Sequence, residues 1–542
     1  MIMEQKNSNK FLKGAAVLAV AGILVKVMGV FFRVPLTNWV GAEGMSYYSS
    51  VYPFYTFFLL LSLAGIPVAI SRMISERTAV KNYGGAHRVF NVSVWLLGGI
   101  GFVSFLIMHF GAGFIENVVL NNPGTKYAIQ AIAPSLFLVP VMAAYRGYFQ
   151  GRQNMNPTAV SQLLEQFFRV AVGLLLGHML LNAGYDKFAA GAIFGCTAGA
   201  GAGLAIAVVI YLLNRKVIRS QIIRNRSHQE LEPWQKIVKE ILIIAIPITI
   251  GACIFPLINA IDSMMVMRRL QAVGFTLDES RVLFGKLGGY CASLVGMPQV
   301  LIQAIVMSLV PAIAAGFKLK NWDDVRENSQ FAMRATMIIG FPCAVGMMVL
   351  ALPILLLLYP MQAEEVAETA AVFAIMSIST IFMSPMITLT GALQGIDRQM
   401  LPVKNMAIGA VAKVVVTFIL VGIRFVNVNG ASIGTIVFYI VATVLNIRDV
   451  KREADVEFDA KITYIKPLIS SVVMGVAAFV AYRVLMLILH SNAICCLLAI
   501  FVGVVVYGVM VLATNTITLD EISRLPKGDK LVRIAGKFVR NK

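Results

Sequence analysis

Runs of twenty or more mostly apolar residues, each closed by a short charged stretch, recur along the whole chain. A helix needs about twenty such residues to cross a hydrocarbon core roughly 30 Å thick. By that measure fourteen segments qualify: 14–40, 46–71, 89–110, 127–149, 157–182, 188–213, 237–262, 286–316, 332–359, 365–393, 401–423, 429–447, 464–487 and 493–514. In lipid every backbone polar group must be satisfied internally, so only helices and closed barrels span. A barrel would show short alternating segments, and the uninterrupted runs exclude it. In water 542 residues would suggest several domains. In lipid they read as one all-α polytopic membrane protein. Only 13% of the residues are charged and 58% are hydrophobic, where a soluble domain carries about a quarter charged.

The formal net charge is +19. Nucleic acid is not the expected partner, because the basic residues sit between apolar segments. Cytoplasmic loops of membrane proteins need them there. With the N-terminus inside, and residues near span ends counted with the adjoining loop, 34 of the 46 Lys and Arg fall on cytoplasmic segments, 8 on external loops and 4 deep within spans, Lys26, Arg33, Arg169 and Lys413. A missed or invented span would invert every later loop and spoil the asymmetry. Both termini are therefore expected in the cytoplasm, with the chain in the cell membrane. The first apolar run is too long for a signal-peptide core and has no small-residue cleavage site after it.

Chemistry that makes or breaks bonds has no visible seat. The six cysteines form no CxxC, and the five histidines show no metal-ligand spacing. Nucleotide loops and nucleophile constellations are missing too. The expectation is no enzyme, no metal and no cofactor.

The longest basic loop, NRKVIRSQIIRNRSHQELEPWQK, divides the first twelve spans into two sets of six. Residues 1–214 form the expected first lobe, 215–236 a basic cytoplasmic linker and 237–448 the second lobe. Residues 449–515 carry the last two helices, and 516–542 form a short amphipathic cytoplasmic tail. The two sets resemble one another. Pro67, the KNY at Lys81 and Gln150-Gly151 in the first match Pro311, the KNW at Lys320 and Gln394-Gly395 in the second. The Pro and Gln-Gly pairs lie 244 apart and the KNY/KNW pair 239 apart, which calls for compensating length changes. Six is even, so the sets share one orientation, related by an axis along the membrane normal.

Ionisable groups at mid-membrane cost several kcal/mol and face a partner or water. Lys26 and Arg33, in VKVMGVFFRVP, are seven residues apart and share one face. They could bind a phosphate or diphosphate, Arg33 in bidentate fashion and Lys26 as a point charge. Alternatively, Arg33 snorkels to the outer interface beside Pro35 and Trp39. Glu165 and Arg169, in SQLLEQFFRV, are spaced either for a self-satisfied ion pair or for Glu165 to orient Arg169 toward a ligand. Asp262 has Arg268 or Arg269 as ordinary partners, or serves a coupling ion or proton. Lys413 lacks a nearby carboxylate in sequence, and Asp262 is one candidate partner. Lys286 reads as an interface marker. Tyr47, Tyr48, Tyr52 and Trp39 read as outer interfacial aromatics.

The opening VKVMGVFFRVPLTNWVGAEGMSYYSSVYPFYTFFLLLSLAGIPVAISRMISE resembles the first two helices of oligosaccharide-lipid flippases. YRGYFQGRQNMNPTAVSQLLEQFFRV resembles their fourth and fifth. Those proteins belong to the multidrug/oligosaccharidyl-lipid/polysaccharide (MOP) exporter superfamily, and the likeness covers essentially the whole chain. The last two helices resemble the lipid II flippase and stage V sporulation protein B branch. The resemblance implies a V-shaped pair of six-helix lobes plus two C-terminal helices, alternating between inward-open and outward-open states. It implies a flippase for an undecaprenyl-diphosphate-linked saccharide, foremost lipid II, serving peptidoglycan or polysaccharide synthesis and cell shape. The implied partners are that lipid-linked oligosaccharide, membrane lipids and cell-wall synthesis proteins. Lys26 and Arg33 match cationic positions that face the substrate diphosphate. Asp262 matches an Asp of a sodium site found in some members, so coupling to Na+ or H+ is implied. Two departures stand out. The segment after Pro53 reads FYTFFLLL, without the arginines common there, and Lys413 stands close to where a coupling cation would sit. Its ammonium could replace sodium. The rival readings are a multidrug antiporter of the same superfamily and a non-transporting scaffold for envelope synthesis. An antiporter for cations wants an uncompensated acid in the first lobe, where Glu165 is the only deep one.

Overall fold

The computed structural model describes residues 2–225 and 232–516, with side chains from 18 onward except 19 and 23. The middle of the basic linker and nearly all of the expected C-terminal tail lie outside the described residues. Among the described residues there is no strand. Sixteen helices carry the architecture: α1 (Ile2–Leu63), α2 (Ile66–Ala79), α3 (Tyr83–Phe110), α4 (Ser135–Gly151), α5 (Asn156–Met179), α6 (Tyr185–Arg224), α7 (Trp234–Ala272), α8 (Leu277–Gly285), α9 (Met297–Lys318), α10 (Trp322–Val349), α11 (Ala363–Ser377), α12 (Ser379–Gly395), α13 (Met400–Val421), α14 (Asn429–Ala454), α15 (Lys466–Leu489) and α16 (Asn492–Ala513).

Thirteen helical stretches among the described residues are long and apolar enough to cross a membrane by length and composition. The first, Val20–Ala79, has 60 residues. At 1.5 Å per residue it would measure about 90 Å if straight, three times the hydrocarbon core. It is not straight. Gly41 has φ 64 and ψ −162, a region open essentially to glycine alone. The Phe32 and Tyr48 rings lie 6.2 Å apart, whereas a straight helix would separate such positions by about 24 Å. The chain therefore reverses at Gly41 and the first stretch is two spans, giving the fourteen expected. α6 runs past the expected end at 213 to Arg224, so part of the basic stretch is helix. An apolar ruler sees only the portion of a helix that lies in lipid.

The chain forms two compact units, Met1–Gly289 and Tyr290–Lys542. In the first, apolar cores gather around Phe32, Tyr48, Ile129 and Phe188, and around Ile70, Phe90, Tyr148 and Ile241. α7 packs here, and a charged clasp fastens its start to the end of α2. Arg77 bonds to Glu232 and, at 3.2 Å, to Glu240. Lys236 and Arg77 hold the Glu232 carboxyl below the usual carboxylate range. In the second unit, a core around Met333, Leu393 and Val450 joins α10, α12 and α14.

The internal repeat is written into the helix boundaries. α4 and α12 begin at Ser135 and Ser379 and end at Gly151 and Gly395, each 244 apart. α5 and α13, and α6 and α14, begin at the same offset. α3 and α10 instead correspond at 239, from Tyr83 to Trp322 and from Phe110 to Val349. Their entry turns repeat as well. Lys81 and Lys320 have φ 61 and 57, and Asn82 and Asn321 each cap the helix with a side-chain oxygen. The expected Pro67–Pro311 match fails. A side chain at Gly151 would meet Ser71 O and Ile74, and one at Gly395 would meet Val310 O and Ile313. Those partners correspond at 239, so packing register pairs Pro67 with Val306. One insertion between Val349 and Ser379 then accounts for both offsets, and no compensating change is needed.

Candidate anion-binding site in the first unit

The site begins with two arginines that rest on aromatic rings. On the first arm of α1, Arg33 donates from Nη1 to the Gly288 carbonyl at 3.1 Å. Its guanidinium carbon lies 5.6 Å from the Tyr48 ring centroid. Tyr48 and Tyr52, one turn apart on the second arm, stack at 5.7 Å and 15°. The guanidinium of Arg169, on α5, lies 5.2 Å from the Tyr52 centroid. The order Arg33, Tyr48, Tyr52, Arg169 brings together two cations that the sequence places far apart. A ring face steadies a guanidinium without neutralising it. Neither arginine pairs with a carboxylate among the described residues, and Arg169 Nε is buried there without a hydrogen-bond partner. Tyr48 is 2% exposed, so the expected interfacial role gives way to a seat inside the unit. Trp39 is half-buried and packs on His178 at 5.1 Å.

Lys26 lies two turns before Arg33 on the same face. It is exposed and makes no ion pair with a described residue. That face passes α5 at Gly29, where an added side chain would lie 3.8 Å from Gln166.

α5 is held in place by α6 through Gly191, Gly195, Gly199 and Gly203, all buried and spaced one turn apart. A Cβ on Gly195 would sit 2.4 Å from Arg169 O, and one on Gly199 2.4 Å from Glu165 O. Only glycine lets the two backbones approach so closely. The sequence GAIFGCTAGAGAG carries this small-residue period, a signal the motif reading did not use.

Of the two readings of Glu165 and Arg169, the self-satisfied ion pair does not form. Glu165 Oε2 instead lies 2.8 Å from Arg146 Nη2, on α4. Arg146 also donates to Ser161 Oγ, at 3.1 Å from Nε and 2.8 Å from Nη2. Sequence reading missed Arg146, which falls near the end of segment 127–149 and counts with the cytoplasmic loop that follows. Arg281 and Lys286 were missed as buried charges; they are 8% and 5% exposed. Arg281 bonds to Asn122, Asp278 and the Pro123 carbonyl, at 2.9, 2.9 and 2.6 Å, and lies over the Tyr47 ring.

Asp262 is half-buried on α7 of the first unit. Lys413 is 3% exposed on α13 of the second. It stands 244 residues after Arg169, so the repeat places a basic residue at the same register in both copies. No group of three or more His, Cys, Asp or Glu suited to a metal occurs among the described residues.

Many long apolar helices mark a multi-pass membrane protein. The family model described as "Polysaccharide biosynthesis protein" matches residues 11–317, and the MatE model matches 288–419. The chain belongs to the polysaccharide biosynthesis protein family, within the MOP superfamily of transporters and flippases. It is 26% identical to Stage V sporulation protein B of Bacillus subtilis, over 96% of this chain and 99% of that one. It is 27% identical to the Lipid II flippase MurJ of Bacillus subtilis, over 88% and 89%. Among solved structures, an inward-facing multidrug resistance MATE family transporter of the MOP superfamily superposes with a TM-score of 0.67. That match has 14% identity and covers 81% of this chain and 98% of the other; it speaks for the fold alone.

Proposed function

We propose that the chain is an alternating-access flippase for an undecaprenyl-diphosphate-linked saccharide, foremost lipid II. It would carry this lipid from the inner to the outer leaflet of the cell membrane for wall synthesis. The observation that supports it is the set of Lys26, Arg33 and Arg169, three cations on adjoining elements with no carboxylate paired to them among the described residues. Such a set suits a diphosphate headgroup and repels a cationic drug. The kinship with a protein named Lipid II flippase MurJ points the same way. In this reading residues 1–214 and 237–448 are like-oriented six-helix halves joined by the linker 215–236. Residues 449–515 are accessory helices and 516–542 a cytoplasmic tail, both termini being inside. Outward movement of an anion gains about 2.3 kcal/mol per charge per 100 mV of inside-negative potential. Asp262 and Lys413 are the groups through which Na+ or H+ would reset the empty carrier. If the Lys413 ammonium replaces a sodium ion, Lys413→Ala should make transport sodium-sensitive.

The test is lipid II exposure on spheroplasts of a flippase-depleted strain. The wild-type chain should restore exposure and growth, and Lys26→Glu should abolish both at equal expression. Normal growth of Lys26→Glu, or ethidium efflux in place of lipid II exposure, would overturn the reading.

A further inference from the structure

We infer that Arg146 sets the charge selectivity of this site by neutralising Glu165, as a positioning residue that need not touch the substrate. The preferred anion is taken from the function proposed above; the neutralisation itself is not. Glu165 lies one turn from Arg169 on α5, close enough to quench it. It turns away because Arg146, on α4, offers a better-anchored partner at 2.8 Å. That guanidinium is fixed from a second side by Ser161 Oγ, which donates in turn to the Gly203 carbonyl of α6 at 2.8 Å. Three helices thus hold the pair, with side chains only 14% and 26% exposed. Arg169 is left with a ring instead of an acid.

The repeat supplies an independent observation. At an offset of 244, Arg146 corresponds to Thr390, Ser161 to Asn405, Glu165 to Gly409 and Arg169 to Lys413. The second copy lacks both the acid and the base that covers it, yet keeps the deep cation. Its polar clasp at that level is different: Asn446 reaches Thr390 at 3.3 Å, and Asn405 reaches Asn446 and Asp449 at 2.9 and 2.7 Å. Acid and base are present together or missing together, as expected if the base exists to cancel the acid.

Two binding measurements on the purified full-length protein test this, one with undecaprenyl diphosphate and one with tetraphenylphosphonium as the cationic probe. R146Q should weaken undecaprenyl diphosphate by about tenfold or more and acquire tetraphenylphosphonium binding. R146Q/E165Q should return the diphosphate to within about threefold of wild type and lose the cation. A merely structural role would not create binding for a cation. The inference is overturned if the double variant stays as weak as R146Q, or if R146Q gains no cation binding. Should R146Q not purify, the double variant alone decides: diphosphate preference retained without either charge upholds the inference, and its loss overturns it. If wild type ignores undecaprenyl diphosphate, the proposed substrate fails. The gain and loss of tetraphenylphosphonium would then still decide the role of Arg146.

Discussion

A guanidinium on a tyrosine face keeps its full charge for a ligand, whereas one clasped by a carboxylate has most of it cancelled. Arg33 and Arg169 are of the first kind. The planar group matters as well as the charge, since an ammonium is a compact point charge without a flat face to lay on a ring. Arg169→Lys should therefore lower undecaprenyl diphosphate affinity about tenfold, with the protein folded and the melting temperature near wild type. Unchanged affinity would mean the ring contact is incidental. Lys26 and Arg33 were readable as a pair from sequence because seven residues make two helical turns. The Arg169–Tyr52 contact was not, since tertiary packing alone brings those residues together. The local rule for Glu165 and Arg169 misled for the same reason: i, i+4 spacing permits a pair, and a better-anchored base on α4 outcompeted it.

At the scale of elements, the glycines of α6 fix where α5 lies, and hence where Arg169 and Glu165 are presented. Gly195→Ala would drive a methyl group to 2.4 Å from Arg169 O, whereas Gly201→Ala meets nothing within 4 Å. The first substitution should cost about 1–3 kcal/mol and the second should be close to neutral, as read by thermal denaturation in detergent. Equal melting temperatures would show that the backbones are not locked. The existence and order of the helices were legible, because hydropathy and length dictate them, but several ends run about ten residues off, as at Arg224 and Ala272, where helix continues past the apolar stretch. Their interruptions were less so. The π-helical turn at Lys286–Cys291 left no periodic trace, and Lys286 was accordingly misread as an interface marker.

For the whole molecule, the alternation of basic and apolar segments makes a topology prediction. Reporters fused in the linker near Asn225 and after Thr516 should respond as cytoplasmic, and one in the short turn Leu181–Ala183 as external. An external signal at either basic position would invert the assignment. The duplication was partly legible. The KNY/KNW and Gln-Gly signatures survive because each sits at a turn with demanding geometry; Lys81 and Lys320 both take a positive φ. Pro67 and Pro311 misled because proline tolerates several helix positions, so coincidence at one offset is cheap. The reversal at Gly41 has its own corollary for transport. The two arms of α1 meet with no slack between them, so neither can slide past the other as it could on a long tether. Whatever tilts the arm bearing Lys26 and Arg33 carries Tyr48 and Tyr52 with it, so an anion bound there as proposed would be let go by both arms at once.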